Sequence, residues 1–172
     1  DAERTAVTLA VYRTLRDHYG EPTIKEQRDP LSELIVTILS QNTADVNTAR
    51  AYRRLRERYS SWEQVLAAPT EEVAAAIQVA GLSQIKAPRI QAILRALLEE
   101  RGALSLGFLG DMPTSDARDY LIALHGVGPK TAACVLLFSL RKPALPVDTH
   151  VHRVSRRLGL VPPKASAEKA HA

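Results

Sequence analysis

The stretch Leu124-His125-Gly126-Val127-Gly128-Pro129-Lys130-Thr131-Ala132 constrains this chain more than any other. Ahead of it, Ala117, Tyr120, Leu121 and Leu124 recur at helix spacing. Behind it, Thr131 to Phe138 form an apolar run long enough for a buried helix. Between the two, Gly126 and Gly128 are free to take positive φ and present bare backbone, and Pro129 suits the first turn of a new helix. The pattern predicts helix, tight hairpin, helix. Amides of Gly126, Val127 and Gly128 aimed outward at a helix N-terminus make a place for a phosphate, a grip that reads no sequence.

The rest of the chain repeats the helical period. Val7, Val11, Leu15 and Tyr19 give an amphipathic helix over 5–19, closed by Gly20-Glu21-Pro22. A polar segment follows, and Asp29-Pro30 opens a helix that buries Leu31, Leu34, Ile35 and Ile38. After the turn Leu39 to Asp45, a helix through Val46, Ala49, Leu55 and Tyr59 carries Arg50, Arg53, Arg54, Arg56 and Arg58 mostly on its wet side. Those arginines are either a solvated face pairing with Glu57 or a DNA-contact face. Ser61-Trp62 and a capped Thr70-Glu71-Glu72 start two more helices, the second running into Val73–Val79. Lys86-Ala87-Pro88-Arg89 leads into the cleanest stripe, Ile90, Ile93, Leu94, Leu97 and Leu98. A loop over 102–113 is pinned by Leu104, Leu106, Phe108 and Leu109, and Ser115-Asp116 caps the first helix of the hairpin unit. A helix over 149–158 with Gly159 as its cap follows, then a last start at Lys164–Glu168. About nine helices and no strand pattern predict an all-α fold.

Bulk properties narrow the partners. At 172 residues, 45% apolar and 24% charged, the chain is one globular domain or two small ones. A formal charge of +4 favours a polyanionic partner, although many basic proteins have none. The single cysteine, Cys134, gives no disulfide framework and no cysteine-rich metal site, and in its apolar helix it reads as a core residue. His150 and His152 lack the spacing of zinc ligands. No apolar run reaches the roughly 18 residues of a membrane helix, and the N-terminus lacks a signal peptide's pattern. An intracellular, cytoplasmic location is expected.

Two residues invite chemistry. Lys130 stands on the first turn of the second hairpin helix. There, helix dipole and partial burial disfavour an ammonium, and a neutral amine attacks sugar aldehydes to form Schiff bases. The plain alternative is a phosphate-binding or solvated lysine. Asp148 lies eighteen residues further on, in Pro146-Val147-Asp148-Thr149-His150, where it suits a helix N-cap. It also suits a carboxylate facing Lys130 across a cleft, taking a proton or stabilising positive charge on a sugar. The two roles are compatible.

Together the two segments, Leu-His-Gly-Val-Gly-Pro-Lys-Thr-Ala and Pro-Val-Asp-Thr-His-Val-His-Arg-Val, resemble the helix-hairpin-helix superfamily of DNA glycosylases, and within it the endonuclease III branch. The likeness extends over nearly the whole chain. It implies a two-lobed helical fold: a six-helix barrel at 29–141, and a second, discontinuous lobe from 1–28 plus 142–172. It further implies a monomeric base-excision enzyme on damaged duplex DNA, associated in bacteria with the nucleoid. The damaged nucleotide rotates out of the duplex, Lys130 attacks C1′ and displaces the base while Asp148 stabilises the transition state, and β-elimination cuts the strand without a metal at the reacting centre. By the same likeness, Asn42 fills the vacated gap, or its neighbour Gln41 does, since Gln41-Asn42 departs from the family's commoner single Gln. Leu82 after Gly81 wedges the opposite strand. Thr131 and His150 join the DNA-facing set, and His150 also holds the loop around Asp148.

Most members of that branch continue into four closely spaced cysteines holding a [4Fe–4S] cluster, and those cysteines do not occur here. The likeness therefore implies a cluster only if the chain continues past Ala172. Oxidised pyrimidine is the expected lesion. An oxidised purine or a mismatched thymine on the same fold, or a non-catalytic module that grips DNA by its hairpin, are the alternatives, and Lys130 with Asp148 argues against the last.

Overall fold

The computed structural model describes residues 2–21, 27–162, 164–167 and 170. Among them are nine α-helices and no strand: α1 (Ala2–Tyr19), α2 (Pro30–Ser40), α3 (Asp45–Arg58), α4 (Trp62–Ala67), α5 (Thr70–Ala76), α6 (Ser83–Arg101), α7 (Thr114–Ala123), α8 (Pro129–Cys134) and α9 (Thr149–Arg157). Pro22 and Glu168, expected at the end of α1 and in a last helical start, lie outside the described residues.

α2 is the central element. Asp29 caps it by accepting from the amides of Leu31 and Ser32 at 3.1 and 3.0 Å, and Pro30 occupies its first position. Leu31, Leu34, Ile35, Ile38 and Leu39 are all buried, against α3, α6 and α8. Each such side chain contributes about 1.5–3 kcal/mol of burial. Among the described residues, the buried members of the continuous apolar core run from Leu31 to Leu136, with Leu140 and Ala144 packed against it. No described side chain of α1 or α9 is buried.

Several predicted boundaries move, each for a local reason. Thr70 does not cap α5: Pro69 stands at the cap, and the Thr70 hydroxyl donates to Gln91 Oε1 on α6 at 2.7 Å. α5 stops at Ala76, short of Val79, where a 3₁₀ turn (Gln78–Ala80) tightens the chain ahead of Gly81. Ser115 caps nothing, since α7 begins one residue earlier and its hydroxyl donates to Asp116 instead. α6 begins at Ser83 and runs through Pro88, so Lys86 and Arg89 belong to the helix rather than leading into it. In the loop after α6, Leu106 and Leu109 are buried as expected.

α8 continues as a π turn (Val135–Ser139), with the Leu140 amide donating to Val135 O at 3.2 Å. Ser139 is bonded twice from outside this turn: its carbonyl accepts from Gln27 Nε2 at 2.6 Å, and its hydroxyl donates to the Arg28 carbonyl. The crossing segment ahead of α2 is thereby fastened to the end of the helix that carries Lys130.

Candidate active site

The hairpin is built as its sequence predicts, with two differences. Gly126 takes φ +76°, so glycine is needed there, and the Arg89 side chain fills the space that a Cβ would occupy. Gly128, at φ −100°, has no such need. The Val127 amide is not aimed outward. It donates to the Leu124 carbonyl at 3.0 Å and closes the turn, so the hairpin's open amides are those of Gly126 and Gly128. Pro129 starts α8, which puts Lys130 in its first turn. Thr131, one residue on, is buried.

Lys130 is half-buried between two concavities. One, of about 800 Å³, lies on the α2–α3–α8 face and is lined by Glu33, Thr37, Asp45, Tyr52, Lys130 and Cys134 among others. The second, of about 430 Å³, is lined by Gln41, Gly128, Pro129, Lys130, Thr131, Val147 and Ala167. Lys130 thus lines both the hairpin-side hollow and the helical cleft. Cys134, one turn along, has its thiol pushed up by burial, against the nearby positive charge of Lys130. That thiol is no nucleophile here.

Asp148 occupies the N-cap of α9 and accepts from the amides of His150 at 2.9 Å and Val151 at 2.7 Å. The Val151 amide does most to hold its carboxyl below the usual aspartate value, with the His150 amide and the charges of His150 and Lys130 adding to it. Lys130 and Asp148 therefore lie within electrostatic reach of each other. His150 itself is exposed, and its Nδ1 lies 3.1 Å from the Arg153 guanidinium.

Asn42 and Leu82 share an unusual backbone. Both are non-glycine residues in the left-handed region, at φ 54° and 51°, and both are exposed. A half-exposed leucine in that conformation is costly to maintain without use, at about 1–2 kcal/mol. Gln41 differs: it is half-buried, and its Oε1 accepts from Arg89 Nη1 at 2.8 Å.

One residue of this region carried almost no sequence signal. Lys86, read only as a lead-in to a helix, is 1% exposed and gives its ammonium to the carbonyls of Leu39 and Ala80, at 2.7 and 2.8 Å. Burial pushes its pKa down, and Arg89 adds to that. A lysine at a helix start ordinarily faces water. Only its i+4 relation to the Ile90 and Leu94 stripe hinted at an inward face.

The described residues bring no three His, Cys, Asp or Glu side chains together as a metal site, and Cys134 is buried alone. The described residues do not fit a four-cysteine cluster.

A family model described as HhH-GPD superfamily base excision DNA repair protein matches residues 35–172. A candidate DNA glycosylase of Arabidopsis thaliana is 38% identical over 170 residues, spanning 95% of this chain and 58% of that protein. Endonuclease III of Thermotoga maritima is 40% identical over 151 residues, spanning 88% of this chain and 67% of its own length. The chain thus spans about three-fifths to two-thirds of these relatives. Among solved structures, a trapped endonuclease III–DNA covalent intermediate superposes with a TM-score of 0.78 at 31% identity, covering 98% of this chain and 75% of that one.

Proposed function

Because the chain belongs to the HhH-GPD superfamily of base excision DNA repair proteins, we propose that it is a bifunctional DNA glycosylase and abasic-site lyase of the endonuclease III type, removing oxidised pyrimidines from duplex DNA. The observation that carries this reading is Lys130, on the first turn behind the hairpin, within reach of the Asp148 carboxylate and open to a cleft large enough for a base.

The chemistry follows from the residues. The hairpin amides of Gly126 and Gly128 hold one phosphate of the damaged strand. Asn42 and Leu82 fill the space left as the nucleotide turns out. Its base enters the 800 Å³ cleft, where Thr37, Asp45 and Tyr52 offer polar edges and an aromatic face. Asp148 stabilises positive charge as the C1′–N bond breaks and accepts the proton that Lys130 Nζ loses on forming its bond to C1′. The C1′–O4′ bond then breaks, O4′ taking that proton from Asp148, and the open-chain Schiff base activates C2′: a proton leaves C2′, the 3′ C–O bond breaks, and the phosphate departs with the electron pair. Water then releases the lysine. Residues 29–141 would form the barrel, with 1–28 and 142 onward as the second lobe.

Borohydride trapping on an abasic-site duplex tests the reading. The expected result is a covalent adduct that Lys130→Ala abolishes; binding without any adduct would reduce the protein to a DNA-gripping module. A thymine-glycol duplex, set beside 8-oxoguanine and T·G duplexes, should be the preferred glycosylase substrate.

A further inference from the structure

The two turns assigned to enter DNA come from different parts of the chain, yet they must enter one duplex at a fixed separation. Asn42 is three residues beyond Leu39, and Leu82 is two beyond Ala80. The Leu39 carbonyl belongs to the last turn of α2 and the Ala80 carbonyl to the end of the 3₁₀ turn. Both are helix-end acceptors without an onward helical partner. One buried ammonium, that of Lys86, bonds both. The Lys86 amide also donates to the Leu82 carbonyl at 2.9 Å, so a single residue holds the wedge turn from both sides of Leu82. One turn along α6, Arg89 adds a third link. It bonds Gln41 beside the gap-filling residue and lies across Gly126 of the phosphate hairpin.

We propose that Lys86, with Arg89, is a positioning residue that locks the Asn42 turn, the Leu82 turn and the hairpin into one rigid unit for opening the duplex. This rests on the reading above that those turns enter DNA. An ammonium is unusually suited to the task, because one point charge with three rotatable donors can hold carbonyls from two helix ends at once. Charge-assisted bonds in a buried site are also stiffer than neutral ones. The chemistry at Lys130 does not touch Lys86. The lock therefore acts on duplex opening and not on Schiff-base formation.

That separation makes the test. A single-stranded abasic oligonucleotide needs no gap filler or wedge, whereas an abasic duplex needs both. Lys86→Met keeps the bulk and removes the charge. Gln91→Met is its control. Gln91 is also buried on the same helix and also bonds two carbonyls, of Val65 and Ala68, neither of which belongs to the DNA turns. Borohydride trapping rates on the two substrates are compared for wild type and both variants, below their melting temperatures. A duplex with a tetrahydrofuran abasic analogue opposite 2-aminopurine adds a fluorescence readout of strand opening that needs no lyase step.

For Lys86→Met the duplex rate and the 2-aminopurine signal should fall, by roughly tenfold to a hundredfold in rate, with the single-strand rate unchanged. Gln91→Met should leave the ratio of the two rates where wild type has it. Parallel loss on both substrates, an undisturbed duplex rate in Lys86→Met, or the same selective loss in Gln91→Met would overturn the proposal. Should Lys86→Met fail to fold, Arg89→Met at its half-exposed position must show the same duplex-selective loss. Absence of any wild-type adduct on the single strand would instead remove the lyase reading, while the 2-aminopurine signal would still decide whether Lys86 positions the turns.

Discussion

Asp148 is asked to do two things with one carboxylate, and substitutions can separate them. Its oxygen caps α9 through the amides of His150 and Val151, and its charge faces Lys130. Asparagine caps a helix about as well as aspartate, whereas alanine loses about 1 kcal/mol. Asp148→Asn should therefore melt only slightly below wild type at neutral pH, yet lose roughly 10²-fold or more in base release, the scale of a lost acid–base group. Asp148→Ala should lose both. The pH dependence has a definite sign. Since the folded carboxyl titrates below the ordinary 3.8, its contribution to stability is present above that value and disappears as pH falls through the folded pKa. Thermal melts of wild type and Asp148→Asn between neutral pH and strong acid should converge at the acid end. A gap that widens on acidification would sink this account. At this scale the sequence was informative where a residue advertises itself, as Asp148 does before a helix start. It was silent on Lys86, whose burial depends on where two distant helices end, and on the Val127 amide, whose partner is fixed only once the turn closes.

Elements were legible in proportion to how local their signals are. α2 announces itself by Asp29, Pro30 and an unbroken apolar stripe, and it forms there. The caps expected from Thr70 and Ser115 do not form, because a better partner lay nearby: Gln91 for Thr70 and Asp116 for Ser115. The hairpin lies between these cases. Its shape was readable from two glycines and a proline, but only one glycine carries positive φ. Gly126→Ala puts a side chain into the left-handed region at a cost of about 1–2 kcal/mol. The new methyl also displaces Arg89, which releases Gln41 from across the site. Lower thermal stability together with weaker binding to an abasic-analogue duplex is expected. Gly128→Ala has open space and ordinary backbone, so its melt should stay near wild type. Equal melting temperatures for the two variants would refute the distinction.

At the scale of the whole molecule, stability and reactivity are distributed unevenly. The buried members of the apolar core end at Leu136, while Asp148 and the basic residues His152, Arg153, Arg156 and Arg157 of α9 lie beyond them on a helix with no buried side chain. α1 carries Leu9, Tyr12, Leu15 and Tyr19 at least two-fifths exposed. The amphipathic pattern at 5–19 was visible in the sequence; that its apolar side meets so little of the core was not, since periodicity names a face and not its partner. The consequence is quantitative. Leu34 is fully buried at the centre of α2, and Leu34→Ala should cost about 2–5 kcal/mol, with the cavity adding to the lost transfer energy. Leu15 is 51% exposed, and Leu15→Ala should stay within about 0.5 kcal/mol. Chemical denaturation of the two variants measures this directly. A loss at Leu15 comparable to that at Leu34 would mean that α1 is packed as tightly as the core helices. That helix would then be part of what holds the candidate site together.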